Sequence, residues 1–270
     1  MLRKLTDLDR DAAGSLLMQR PTHNLYLLSN MHQVGFSTDF CEFWGDFDEN
    51  SGGDSGRCLR AVLNRYMTGW SVYGLPSASW TDLAAVVDGH DGVAFRLQDN
   101  PGGVESFVPY LQRYEAEKII EEELMKLAAH DFAPRPAPPE WSVRRAKWDD
   151  LQQLSSLYAD AGSMTRSQQS IERPLRDLRI WVAVRNGCIF AAALTNAELT
   201  SRAMVGGVFT APDCRNLGLS QAVCSALCAE LLSEGKQPVL YWQDPAAGAV
   251  YRRLGFVACG TWRSVWLRTR

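Results

Sequence analysis

The chain has 270 residues, more than one ordinary compact domain needs, so two domains are the starting expectation. A 46% hydrophobic content with 9 Trp excludes general disorder, and a formal net charge of -3 excludes a global positive field that would draw nucleic acid or an anionic membrane. Seven scattered cysteines form no CxxC pair and the four histidines lie far apart, so reduced thiols are expected and a metal site is not.

Charges run through the first eleven residues and no stretch reaches about 18 consecutive apolar residues, which predicts a cytoplasmic chain without a secretory leader or membrane span. Residues 7–18 and 22–31 read as helices, the second with Thr22 as its N-cap. Aromatic and branched residues at 40–47, 58–66 and 70–73 predict strands, with a turn over the Gly, Ser, Asn and Asp run at 50–56. Helix formers dominate 105–129 and predict one or two helices, with the three glutamates at 121–123 on a solvated face. Pro134, Pro136, Pro138 and Pro139 then predict a stiff spacer, so the domains are expected at 1–132 and 141–270 with a linker at 133–140.

Beyond the spacer the order reads as strand, helices, a group of strands, helix, strand, helix and terminal strands, an α/β domain with a mixed sheet. The apolar runs at 180–184, 188–194, 204–209 and 239–242 are too short for helices and suit buried strands. Between the last two, Leu219, Val223, Leu227 and Leu231 recur every four residues while Ala222, Ala226 and Ala229 keep neighbouring faces small. That pattern is a helix packed closely on a sheet, and Gly235 is its stop.

Residues 205–220 pass from strand through turn into this helix, whose first amides have no internal partner and whose dipole favours an anion. Gly218 permits close backbone approach, Arg215 adds a permanent positive charge and Ser220 a hydroxyl donor. No lysine follows the glycine, unlike a nucleotide-triphosphate loop.

The segment Arg215-Asn-Leu-Gly218-Leu-Ser220 resembles the Arg/Gln-x-x-Gly-x-Gly/Ala loop of GCN5-related N-acetyltransferases (GNAT), departing from it at Ser220. Downstream, Tyr251-Arg-Arg-Leu-Gly255-Phe256 resembles the family's Tyr-x-x-x-Gly-Phe helix end. Asp244 stands where the family often has Asn, able to cap the helix but unable to donate an amide hydrogen bond. The resemblance implies transfer of the acetyl group of acetyl-CoA to an amine-bearing small molecule or peptide, by a monomer or homodimer. It implies that the main chain of Val208, Phe209 and Thr210 pairs with the pantetheine arm. Asn216, Leu217, Gly218, Leu219, Ser220 and Gln221 would cradle the diphosphate, and Tyr251 would protonate the departing thiolate. No glutamate matches a general base: Val239 is apolar, the nearby Glu198 reads equally well as a solvated loop residue, and deprotonation through ordered water is expected.

Plainer readings stand beside these. The loop could be an ordinary polar loop, Tyr251 a core tyrosine, and Cys214, Cys224 and Cys228 small packing residues. Residues 24–28 with 43–45 loosely resemble the leading region of two-part GNAT proteins, so the first half is expected to be a degenerate GNAT-like domain that helps shape the acceptor site. The competing functions are a CoA-binding module without catalysis and a tandem-domain aminoacyl transferase.

Overall fold

The computed structural model describes residues 1–48, 58–94, 96–99 and 101–270, so the turn expected at 50–56 lies outside the described residues. By internal packing the chain divides into two compact units, Met1–Glu123 with Thr261–Arg270, and Leu124–Gly260.

The first unit runs β1 (Leu2–Lys4), α1 (Arg10–Leu17), α2 (Leu25–Gln33), β2 (Ser37–Thr38), β3 (Cys41–Phe47), β4 (Leu59–Tyr66), β5 (Gly69–Gly74), α3 (Trp80–Asp88), β6 (Arg96–Asp99) and α4 (Pro101–Phe107). Most of β7 (Tyr114–Lys126) and the end of β13 (Val257–Thr269) complete it. β1, β3, β4 and β5 pair antiparallel in that order, β5 and β6 pair parallel, and β6 pairs antiparallel with β13. β3 and β4 are buried along nearly their whole length, the signature of strands covered on both faces rather than one. Trp44 and Trp70 stack at 5.6 Å in the core beside Leu83, Val87 and Phe107, which α3 and α4 contribute.

The second unit runs β8 (Ser142–Arg145), α5 (Leu151–Tyr158), α6 (Gln168–Asp177), β9 (Ile180–Arg185), β10 (Cys188–Glu198), β11 (Arg202–Thr210), α7 (Leu219–Ser233), β12 (Gln237–Trp242) and α8 (Pro245–Arg253). β8 to β11 pair antiparallel in sequence, and β12 lies parallel to β11. Leu219, Val223, Leu227 and Leu231 of α7 are buried on one face of the sheet against Ala183, Ala191 and Ala203, whose small side chains let helix and sheet approach closely. Leu154 and Tyr158 of α5 and Ile171 of α6 cover the other face. α7 stops at Gly235, where φ is +73°, with Lys236 N bonded to the Leu231 carbonyl and Gly235 N to that of Leu232.

Apart from the two-residue β2, the two units repeat one element order, strand, two helices, three strands, helix, strand, helix. They also repeat a charge clamp before the first helix. Arg3 grips Asp9 through both guanidinium nitrogens and Arg144 grips Asp150 likewise, while Thr6 N and Lys147 N donate to the same carboxylates. The Arg3 bond holds the Asp9 carboxyl at about 2, and the Arg144 bond likewise keeps Asp150 below its ordinary range.

Three expectations are corrected here. Residues 105–129 are not chiefly helical: α4 and a short 3-10 turn occupy the start, and β7 takes the rest. Glu115 and Glu121 of β7 pair with Arg268 and Arg263 of β13, and Glu122 accepts from Ser264, so distant strand partners override local helix propensity. The units divide within β7 rather than at 133–140, because Met125 and Leu127 bury in the second unit's core and the proline segment packs there through Ala133 N to Leu254 O and Arg135 N to Ser225 Oγ. α2 begins at Leu25 with Asn24, not Thr22, at its N-cap position.

Gly255, with φ +97°, directs its missing Cβ at the carbonyl of Asp131. Gly255→Ala is therefore expected to cost about 2–4 kcal/mol, seen as a lower denaturant midpoint. An unchanged midpoint would contradict that close approach.

Candidate active site

Among the described residues, β11 and β12 pair through Arg202↔Gln237, Ala203↔Pro238 and Met204↔Val239. Past Met204 the described residues show no further pairing between them, so one edge of β11 lies open. A bulge accompanies the parting. The register with β10 jumps from Ala192↔Phe209 to Leu194↔Gly206, Gly207 adopts φ +57°, and the buried Tyr158 hydroxyl donates to the Gly207 carbonyl. A Cβ at Gly207 would sit 2.8 Å from Leu194 Cγ, so glycine is needed for space as well as for backbone angle. Phe209 and Thr210 keep their pairing with β10 on the other edge. Thr210 Oγ1 is buried with no hydrogen-bond partner among the described residues.

The chain then makes a 3-10 turn at Pro212–Cys214 and enters α7. Cys214 and Leu219 are buried and anchor the two ends, while Arg215, Asn216, Leu217 and Gly218 are exposed between them. Asn216 at φ +63° and Gly218 at φ +79° are both left-handed, the alternation that turns successive amides outward. Among the described residues the amides of Asn216, Leu217 and Gly218 have no backbone acceptor, and the first bond into α7 runs from Ala222 N to the Gly218 carbonyl at 3.0 Å. The first-turn amides at Leu219, Ser220 and Gln221 precede that bond, and the Arg215 guanidinium lies 6.0 Å from the Phe209 ring centroid. Exposed donors, the positive end of a 15-residue helix and an arginine suit a diphosphate.

Asp244 caps α8, accepting from Ala246 N at 2.9 Å, and Pro245 follows it at the first helical position. Tyr251 is buried in the same core as Val205, Leu219 and Cys224, with Val208 packed against that cluster. Burial raises its phenol above the ordinary tyrosine range, and Cys224, Cys228 and Asp244 add to the rise. The Tyr-x-x-x-Gly-Phe pattern is also a helix stop: Gly255 N bonds the Arg252 carbonyl, Phe256 N bonds that of Tyr251, and the two rings meet edge-on at 6.0 Å. Cys214, Cys224 and Cys228 are all buried, as the packing reading expects. Burial raises the Cys224 thiol to about 12, far from a reactive thiolate.

Glu198 corrects an expectation. It lies in β10 rather than a solvated loop, buried and bonded to Arg179, Lys236 and Thr195. Burial acts to raise its carboxyl, and the bonds to Arg179, Lys236 and Thr195 outweigh it and hold the group below the ordinary range. A carboxylate so fully engaged is a poor proton acceptor. Three groups that the sequence did not single out stand at the β11 bulge: Tyr158, Arg166, and Asn196, whose amide fills the space above Gly206.

The corresponding junction of the first unit, between β5 and α3, is filled. The buried Asp46 carboxylate accepts from Ser79 N at 2.8 Å at the start of α3, and Arg60 pairs with its other oxygen. An internal anion thus occupies the position that lies exposed in the second unit.

Arg179 and Lys236 hold the Glu234 carboxyl at about 2, and Glu198 is also lowered. Depressed carboxylates stabilise the fold above their unfolded value, near ~4.3, and that contribution is lost as pH falls through the folded value. Melting temperature is expected to fall between about pH 4.5 and pH 2. Glu198→Gln should cost roughly 3 kcal/mol at neutral pH and show a shallower acid limb. Thermal unfolding across pH checks this, and identical acid limbs would refute it.

The family model described as Acetyltransferase (GNAT) family matches residues 145–256. Over 136 residues the chain is 28% identical to Serotonin N-acetyltransferase 2, chloroplastic, of Oryza sativa subsp. japonica, a match covering 48% of this chain and 64% of that protein's length. A Drosophila protein of known crystal structure superposes with TM-score 0.72 at 14% identity, over 99% of this chain and 98% of that one. A tandem GNAT protein from the clavulanic acid biosynthesis pathway superposes with TM-score 0.64 at 14% identity, over 100% and 98%. At these identities the structural likeness shows the fold, which extends over nearly the whole chain. No helix among the described residues is long and apolar enough to cross a membrane.

Proposed function

We propose, on the premise that the chain belongs to the acetyltransferase (GNAT) family through residues 145–256, that it transfers the acetyl group of acetyl-CoA to a primary amine of a small molecule or peptide. The observation that carries this reading is the open edge of β11 running directly into exposed amides at the start of α7. The rice relative is named for serotonin, a primary amine, which supports the class of acceptor rather than that compound.

Acetyl-CoA supplies the activated thioester. Amides from Asn216 to Gln221, with Arg215, hold its diphosphate, and the main chain of Val208, Phe209 and Thr210 pairs with the pantetheine arm and polarises the thioester carbonyl. Asp244 holds the start of α8 and does not donate to the ligand, because its carboxylate is an acceptor only. The amine nitrogen bonds to the acetyl carbon as the C–S bond breaks, its extra proton passes to ordered water, and Tyr251 protonates the leaving sulfur. With ordinary values near ~10 for phenol and ~8.5 for thiol that proton transfer is uphill by about 2 kcal/mol. Burial of Tyr251 raises the cost, so its proton moves as the thiolate charge develops.

The engagement of Tyr251 in a helix stop supports a second reading, a site that binds CoA without turnover. Free-thiol release from acetyl-CoA across an amine panel separates the two. Tyr251→Phe is expected to lower kcat by about 10²-fold while the KM for acetyl-CoA stays within about twofold; equal activity would reject Tyr251 as the acid. Arg215→Glu is expected to weaken CoA binding by about tenfold or more in calorimetry, and unchanged affinity would refute its placement at the diphosphate.

A further inference from the structure

We infer that the acceptor is an amine bearing a carboxylate, of the amino acid type, and that Arg166 recognises that carboxylate; the inference rests on the acetyl-transfer reading above. Arg166 lies between α5 and α6, its backbone N bonded to the Tyr158 carbonyl at 3.3 Å. Its guanidinium is laid against the β11 bulge. Nη2 donates to Asn196 Oδ1 at 3.0 Å, the guanidinium carbon is 5.8 Å from the Tyr158 ring centroid, and Nη2 lies 3.2 Å from where a Cβ of Gly207 would be. Gly207 is the residue immediately before the Val208 to Thr210 segment that would hold the thioester.

All of these contacts are neutral. Arg144 and Arg179 in the same unit are each matched by carboxylates, whereas Arg166 pairs with none among the described residues. Its Nε is buried with no partner. A guanidinium carries five donors in a planar fork; here the half-buried group has Nη2 on a neutral amide, Nε enclosed without a partner, and no carboxylate to meet its charge. The missing complement is a planar anion, and one guanidinium matches one carboxylate through two parallel bonds. A carboxylate seated there would direct the attached amine towards the adjacent open edge of β11. An acceptor without the carboxylate would leave those donors unmatched, the situation in which a site discriminates most strongly.

The test uses the intact chain with acetyl-CoA and matched acceptor pairs: glycine and methylamine, β-alanine and ethylamine, phenylalanine and phenethylamine. The carboxylated member of at least one pair should have a kcat/KM about tenfold or more higher. Arg166→Gln should raise the KM of that member by about tenfold or more and leave the plain amine and the Kd for CoA unchanged, with Arg166→Lys recovering part of the loss. Thermal unfolding of both variants checks that they fold. A wild-type preference for the plain amines, or an equal loss for both members in Arg166→Gln, would overturn the inference while leaving acetyl transfer intact. If no acceptor turns over, calorimetry with CoA present and N-acetylphenylalanine or N-acetylphenethylamine as probe decides. Binding of the carboxylated product alone, lost in Arg166→Gln, upholds the role, and equal or absent binding overturns it. Failure of the wild type to bind CoA strikes the acetyl-transfer reading itself, and the inference falls with it.

Discussion

Two parallel strands that pair over three residues and then part leave main-chain groups without partners in the middle of a sheet, and the second unit of this protein is built around that constraint. The bulge at Gly207 lets β11 stay registered with β10 on one side while its other edge opens. The Tyr158 hydroxyl takes up the Gly207 carbonyl, so the irregularity is held rather than loose. Two left-handed residues then turn the chain into α7, whose first amides also lack internal partners. Close packing of α7 on small alanines fixes where those donors point.

The first unit shows what the same architecture becomes when these donors are satisfied internally. Asp46 presents its carboxylate to Ser79 N at the start of α3, and Arg60 balances the charge. A helix start already holding a buried carboxylate offers an external anion little, whatever the fold around it. The difference between the units therefore lies in a few side chains and a loop, not in topology.

The strands at 180–184, 188–194, 204–209 and 239–242 and the helix from Leu219 were legible because burial there writes a local pattern, apolar runs or a four-residue repeat. β7 was not, because its glutamates favour helix locally and become strand residues only through Arg263, Ser264 and Arg268, some 140 to 160 positions away. The division of the units moved for the same reason, since β7 runs through it. In the candidate site, the turn at Gly218 was legible through its glycine ahead of a helix pattern. The places of Tyr158, Arg166 and Asn196 were not legible, because they depend on a bulge that a single sequence does not mark. The clamps Arg3 with Asp9 and Arg144 with Asp150 place the same residue types at the same spacing before each first helix, a repeat recognised only once the structure paired them.

Amide-resolved NMR of the isotope-labelled protein titrated with CoA addresses the open strand edge and helix start most directly. Saturable shifts concentrated at the amides of 208–210 and 216–221 are expected, with those around Ser79 unmoved. Shifts centred elsewhere, with residues 216–221 unperturbed at saturation, would contradict this expectation.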